Sequence, residues 1–313
     1  MRVADLHCDA LYKHVTEHIP LDAEENETRL VTEPNGHKLQ CYAIWLPDSY
    51  SGGQAERTVT EAARCLRSEC ERLGIRLLRQ GEDGKAAFER NANTAYFTVE
   101  NGSALNGKTE NVAAFASLGV RMMTLTWNAA NCIGDGADVE NARGMTPFGR
   151  LAVREMERYG IIVDISHASE ALFYDTAENT SLPIVASHSN AYSVAPHRRN
   201  LKDEQIRLII RRGGLIGLNF HNAFLNADPD SACVTDILRH ADHILSLGGE
   251  RSLCFGSDFD GGTLPRDMHN SGIYERIAEL MLHHHYEEGL VRRIFCDNAL
   301  NFFENFDNRR IMV

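Results

Sequence analysis

Short β-branched or apolar runs recur along the chain at residues 2–8, 39–46, 94–100, 121–127, 161–167, 183–189, 214–221 and 252–258, most of them bounded by Gly, Asn or Asp. Such runs predict eight strands. Between them the apolar spacing lengthens to three or four residues. Ala55, Val59, Ala62, Leu66, Cys70 and Leu73 form one stripe, and Val234, Ile237, Ala241, Ile244 and Leu245 form another; both read as helices packed by one face. Thr146-Pro147 is a cap residue followed by a first-turn proline and predicts a helix running to Tyr159. Lys202-Asp203-Glu204 opens a further helix, with acids near its N-terminus.

Strands alternating with helices predict βα units and a parallel sheet, and eight such units predict a closed (β/α)8, or TIM, barrel of the α/β class. An open doubly wound sheet is the alternative, but no GxGxxG follows the first strand. Two long connections, 17–36 and 128–144, are expected to lie over the active-site face. Residues 266–313 read as extra helices on the outside. No Pro/Gly linker divides the chain, so residues 1–313 are expected to form a single domain.

The length of 313 residues suits one barrel of about 250 residues with insertions. A net charge of −12 argues against nucleic acid as a partner, because phosphate binding needs a basic face. The one local exception is His197-Arg198-Arg199. The eight cysteines are scattered without a CxxC pair, which reads as reduced thiols and a cytoplasmic setting. No run approaches the ~18 apolar residues of a membrane span. The start, MRVADLHCD, carries acids where a secretory signal would be apolar, and the end, FFENFDNRRIMV, lacks the tail of a lipid-anchor signal. No membrane partner is expected. Symmetric homodimers are common among soluble oligomers, so a homodimer is an open expectation.

In a parallel barrel the reactive residues come from the C-terminal strand ends. Here those ends read Asp5-Leu6-His7-Cys8-Asp9, Glu100-Asn101-Gly102, Thr126-Trp127-Asn128, Asp164-Ile165-Ser166-His167, Ser187-His188-Ser189, Asn219-Phe220-His221 and Ser257-Asp258-Phe259-Asp260. His7 and Asp9 are two apart, so on a strand they share a face and make half of a zinc site. His167 and His188 offer a second half, and Glu100 has two oxygens with which to bridge two metals. Asp258, at the last strand end, is the candidate general acid/base. Blander readings exist for each residue alone. HxD is a weak motif, Glu100 could cap the segment through Asn101-Gly102, and Asp258 and Asp260 could be turn residues before Gly261-Gly262. The joint placement favours the metal site. No GxSxG elbow supports a serine nucleophile.

The series HxD at 7–9, VENG at 99–102, RMMTLTWN at 121–128, GMTPFG at 144–149, DISH at 164–167, SHSNAYSVAPHRRN at 187–200 and GSDFDG at 256–261 resembles the renal (membrane) dipeptidase family, peptidase family M19. The resemblance covers nearly the whole chain, in order. It implies an amidohydrolase-like metal-dependent hydrolase that cleaves dipeptides, L–L and L–D, by attack of a hydroxide shared between two zinc ions. His7 and Asp9 would hold one ion, His167 and His188 the other, with Glu100 bridging; other divalent metals fit the same ligands. Asp258 would carry the proton and Arg199 would bind the substrate's terminal carboxylate. Trp127 stands where mammalian members have a histidine that contacts substrate, and an indole offers one hydrogen bond and no titration. His221 or Asn128 is then expected to supply the missing donor. Alternatives are another binuclear metallohydrolase on the same barrel (an amidase, lactonase or deaminase) and a catalytically weak metal-binding relative. Barrels that bridge metals with a carboxylated lysine are disfavoured, because Lys13, Lys38, Lys85, Lys108 and Lys202 lie away from the expected strand ends.

Overall fold

The computed structural model describes residues 2–32, 35–50 and 52–311, with side chains through residue 308. Among the described residues nine strands run in chain order: β1 Arg2–Cys8, β2 His37–Trp45, β3 Arg76–Leu77, β4 Asn93–Glu100, β5 Val120–Thr124, β6 Ile162–Asp164, β7 Val185–Ala186, β8 Leu215–Leu218 and β9 Leu253–Phe255. Strand β3 is a two-residue flank on the start of β4. The other eight pair in the parallel ring β1-β2-β4-β5-β6-β7-β8-β9, closed between β1 and β9 at Asp5 and Phe255. The chain is therefore a closed eight-stranded (β/α)8 barrel.

Several strands stop short of the runs that predicted them. The runs 161–167, 183–189 and 252–258 contract to three, two and three residues. The cause is a change of hydrogen-bond partner. The Asp164 carboxylate accepts from the backbone N–H of Ser166 (3.0 Å) and Ser187 (2.9 Å), and Asp5 accepts from that of Ser257 (2.9 Å). A side chain replaces the ladder at those points. Apolar periodicity continues past the last ladder bond, so the pattern alone overshoots.

The helices follow their stripes. Gly53–Leu73 buries Ala55, Val59, Ala62, Leu66 and Cys70, and Val234–Ser246 buries Val234, Ile237, Ala241 and Ile244. Pro147–Tyr159 begins where Thr146 accepts from the Gly149 N–H at 2.9 Å. Asp203–Arg212 follows Lys202. The barrel interior and the helix layer form two apolar clusters. The inner one joins Ala4, Leu6, Leu39, Met122, Ile162 and Val185 to Phe302, Phe303 and Phe306 of the last helix, Asn298–Ile311. That helix covers the N-terminal mouth of the barrel and leaves the opposite mouth for the site. Among the described residues no helix is long and apolar enough to cross a membrane.

Candidate metal centre

The C-terminal mouth collects the ligand-type residues of six strands and their loops. His7 is the penultimate residue of β1 and Asp9 follows the strand, its side chain against the backbone of Gly261, where a Cβ would lie 2.0 Å from Asp9 Oδ2. Glu100 closes β4. His167 and Asp258 follow β6 and β9 with φ of 67° and 64°. Left-handed backbone at a non-glycine residue costs about 1–2 kcal/mol, and such strain gathers at functional sites. Here it turns each chain sharply off its strand.

The atoms converge on Glu100. Its Oε1 lies 2.8 Å from His167 Nε2 and 3.6 Å from His188 Nε2, and its Oε2 lies 3.6 Å from His7 Nε2. His7 Nε2 also faces Asp9 Oδ2 at 3.4 Å and Asp258 Oδ1 at 3.7 Å. Two groups of donor atoms lie close enough to share an ion: His7, Glu100 and His188, and His7, Asp9 and Asp258. All five expected ligands are at least nine-tenths buried. Glu100 stands between the histidines, and the cap of the next segment comes instead from Asn101, which accepts from the Ser103 N–H.

Hydrogen bonds fix the tautomers. Ser187 Oγ donates to Asp164 at 2.5 Å, so it accepts from His188 Nδ1 at 2.8 Å. The lone pair of His188 is thereby on Nε2. His167 Nδ1 donates to Asn128 Oδ1 at 2.8 Å, which likewise leaves Nε2 bare. This outer hydrogen bonding is what metal-binding imidazoles characteristically have. His7 Nε2, His188 Nε2 and Asp9 Oδ1 are buried without a hydrogen-bond partner. Buried polar atoms are rarely left so. Divalent cations among these atoms would satisfy them, so the residues fit the metals expected of them.

The electrostatics agree. Burial opposes charge on His7, but Glu100, Asp9 and Asp258 outweigh it and push its imidazole up to about 10. Burial drives the Glu100 carboxyl well above its usual range and the His167 and His188 imidazoles well below theirs. Without a metal the three carboxylates draw their positive charge from a proton on His7, a charge that a bound cation would supply instead.

Around the cluster lies a cavity of about 590 Å³ whose lining includes Trp45, Trp127, Arg199, His221 and Asp258. Arg199 is buried, and its Nε and Nη2 have no partner. Burial holds its guanidinium down at about 10, so it stays charged at neutral pH. Asp258 is oriented by Asn219, whose Nδ2 donates to Oδ2 at 3.0 Å. Asp260, by contrast, is a structural carboxylate. It accepts from the backbone N–H groups of Glu27 and Thr28 and from Lys13 Nζ at 2.9 Å. Lys13 thus reaches the cavity from the helix after β1 and is occupied by Asp260, while Glu100 holds the central position. The sequence reading assigned no part to Asp5, Asp164, Ser187 or Asn219. A polar residue one to three places before a strand-end histidine was the available signal for all four.

A model of the membrane dipeptidase family (peptidase family M19) matches residues 1–310. The chain belongs to that family. It is accordingly a metallo-dipeptidase, with small peptides as substrates. Among solved structures, dipeptidase AC, a metallopeptidase of family M19, is 27% identical with a TM-score of 0.90 over 98% of both chains. A metallopeptidase from Rhodobacter sphaeroides, liganded with a phosphinate mimic of the dipeptide L-Ala-D-Ala, is 25% identical with a TM-score of 0.89 over 98% of this chain and 99% of that one. An uncharacterized protein from the pqqA 5′ region of Klebsiella pneumoniae is 33% identical over 216 residues, 66% of this chain and 80% of the relative.

Proposed function

We propose that the enzyme hydrolyses L–L and L–D dipeptides with two zinc ions, one held by His7 and Asp9, the other by His167 and His188, with Glu100 between them. The observation that carries this reading is the convergence on Glu100 of imidazoles whose tautomers leave Nε2 bare, beside a buried guanidinium with free N–H groups. Bound zinc would lower the pKa of a shared water and polarise the scissile carbonyl. Manganese, cobalt or iron could take the same ligands.

The chain's own residues do the rest. Asp258 presents Oδ1 to the cluster while Asn219 holds Oδ2. Oδ1 takes the proton of the attacking water and delivers it to the leaving amine as the C–N bond breaks. Arg199 receives the terminal carboxylate on its free N–H groups, a charge-assisted pair that selects substrates by length. His221 lines the cavity, with its Nδ1 3.0 Å from Asn222 Oδ1 and 3.3 Å from the Ala223 nitrogen. His221 and Asn128 are our two choices for the donor that Trp127 cannot replace: both line the cavity, and the Asn128 oxygen accepts from His167, which leaves its Nδ2 to donate. The L–D activity is suggested by the ligand of the Rhodobacter relative. The eight unbridged thiols support a cytoplasmic, reducing setting.

Replacing Asp258 with Asn should lower kcat by about 10² to 10⁴, the usual range for a general acid/base. Zinc content, measured by mass spectrometry of the native protein, should stay at two. Full activity in that variant sinks the assignment. C-terminally amidated dipeptides should be cleaved far more slowly than free ones, and equal cleavage would remove the proposed role of Arg199.

A further inference from the structure

One wall of the cavity is a run of aromatic rings. Tyr12 meets Trp45 edge-on with centroids 4.9 Å apart, Trp45 meets Trp127 edge-on at 5.0 Å, and Trp127 lies 6.1 Å from His167. All three aromatic side chains line the cavity and are half-buried. Tyr12 comes from the helix after β1, Trp45 ends β2 and Trp127 follows β5. Trp45 and Trp127 thus flank β4, which carries Glu100. In the ring of eight, β2 stands four places from β7, diametrically across the mouth, and Arg199 lies on the loop after β7. A dipeptide anchored by its carboxylate at Arg199 and crossing the Glu100 cluster therefore lays its N-terminal residue against the wall of Tyr12, Trp45 and Trp127.

We infer that this wall selects the N-terminal side chain, and that the preferred substrates are dipeptides whose first residue is large and apolar, aromatic above all. The inference rests on the dipeptidase reading and names the substrate class of that same site. An aromatic or branched aliphatic side chain on this wall leaves water for a surface of rings. Edge-to-face contact adds to that gain for Phe and Tyr. An acidic first residue finds on this wall only the unpartnered Trp45 indole N–H, which does not replace the hydration that a carboxylate loses. Trp127 extends the wall to the edge of the metal ligands, where the resemblance expects an imidazole. The reacting carbonyl and the selected side chain are then adjacent.

The test is kcat/KM of the zinc-loaded enzyme on Gly-Ala, Leu-Ala, Phe-Ala and Asp-Ala. Phe-Ala and Leu-Ala should exceed Gly-Ala by tenfold or more, and Asp-Ala should fall below it. In Trp45→Ala the Phe-Ala to Gly-Ala ratio should collapse at least tenfold, and Trp45→Phe should restore most of it. A wild-type ratio below threefold, or a ratio unmoved by Trp45→Ala, overturns the inference while leaving the dipeptidase reading intact. Cleavage of none of the four overturns that reading instead. The wall is then still testable, because Trp45 and Trp127 are the chain's only two tryptophans. Intrinsic fluorescence should respond to Phe-Ala at concentrations at least tenfold below those needed for Gly-Ala. An equal response to both removes the wall's selectivity.

Discussion

Ser187 governs what His188 can do. Its single hydroxyl proton goes to Asp164, so the oxygen must accept from His188 Nδ1, and the nitrogen that faces Glu100 is left bare. A second histidine is committed in the same way for a structural end. His240 is buried; its Nδ1 accepts from the Ala191 N–H at 3.1 Å and its Nε2 donates to the Leu225 carbonyl at 3.0 Å. Only the neutral ring can do both. Burial holds its pKa down at about 4, whereas the unfolded chain titrates near 6.5. Between those values the unfolded state binds a proton that the folded state refuses. Its contribution to stability is complete above about pH 6.5 and is lost as the pH falls towards 4, by about 3 kcal/mol in all. Urea unfolding at pH 7 and pH 4.5 should show a smaller acid-induced loss for His240→Gln than for the wild type. Equal losses would refute the assignment. The ligand-type residues were legible because imidazole and carboxylate recur at strand ends, a position that strand periodicity supplies. The tautomer partners were not. Whether Ser187 meets Asp164 depends on the stagger of β6 against β7, which no spacing within one strand encodes. Arg199 lies well beyond β7, and its place over the cluster came from resemblance, not from periodicity.

Helix stripes carried further than strand runs at the scale of elements. A helix holds its own hydrogen bonds, so a stripe and a cap such as Thr146 bound it well. A barrel strand ends where its neighbour stops pairing, as the short β6, β7 and β9 illustrate. The last helix shows a different debt to tertiary structure. Arg121 on β5 is 1% exposed; it donates to the Gly160 carbonyl at 3.0 Å and the Phe303 carbonyl at 3.2 Å and pairs with Asp307 at 3.0 Å. Tyr96, Phe303 and Phe306 surround its guanidinium at 5.5–5.8 Å. One buried cation therefore fastens Asn298–Ile311 to the lower mouth. Removing one partner of a buried pair costs about 3–5 kcal/mol. Arg121→Ala should lower stability by that order, and limited proteolysis should cut the last helix before the barrel. Wild-type stability in denaturant would rule the clamp out. Nothing in the pattern around Arg121 announced this, because an arginine inside a strand reads as an exposed edge residue until the helix beneath it is known.

The whole molecule is a ring of eight strands with its carboxylates and imidazoles pooled at one end. With Glu100, Asp9 and Asp258 all near His7, the metal-free state keeps repulsive and unpartnered groups in the interior. Stripping the metals with a chelator should lower the melting temperature, and zinc at a hundred times its Kd should return about 2.7 kcal/mol per site. A melting curve indifferent to chelator and zinc would show that this cluster holds no ion. The ring also has a temporal consequence. His7 lies near the end of the first strand and Asp9 just after it, while Asp258 follows the last, and the seam between the two strands pairs Asp5 with Phe255 and, beyond β9, Cys8 with Phe259. At about 5–20 residues per second, a ribosome needs roughly 13–50 s to travel from His7 to Asp258. For that time His7 and Asp9, the proposed half-site, are without Asp258, and the edge of β1 is open. Nascent chains stalled before β9 should therefore offer both an incomplete metal site and a strand edge to chaperones, and release from them should coincide with closure of the seam.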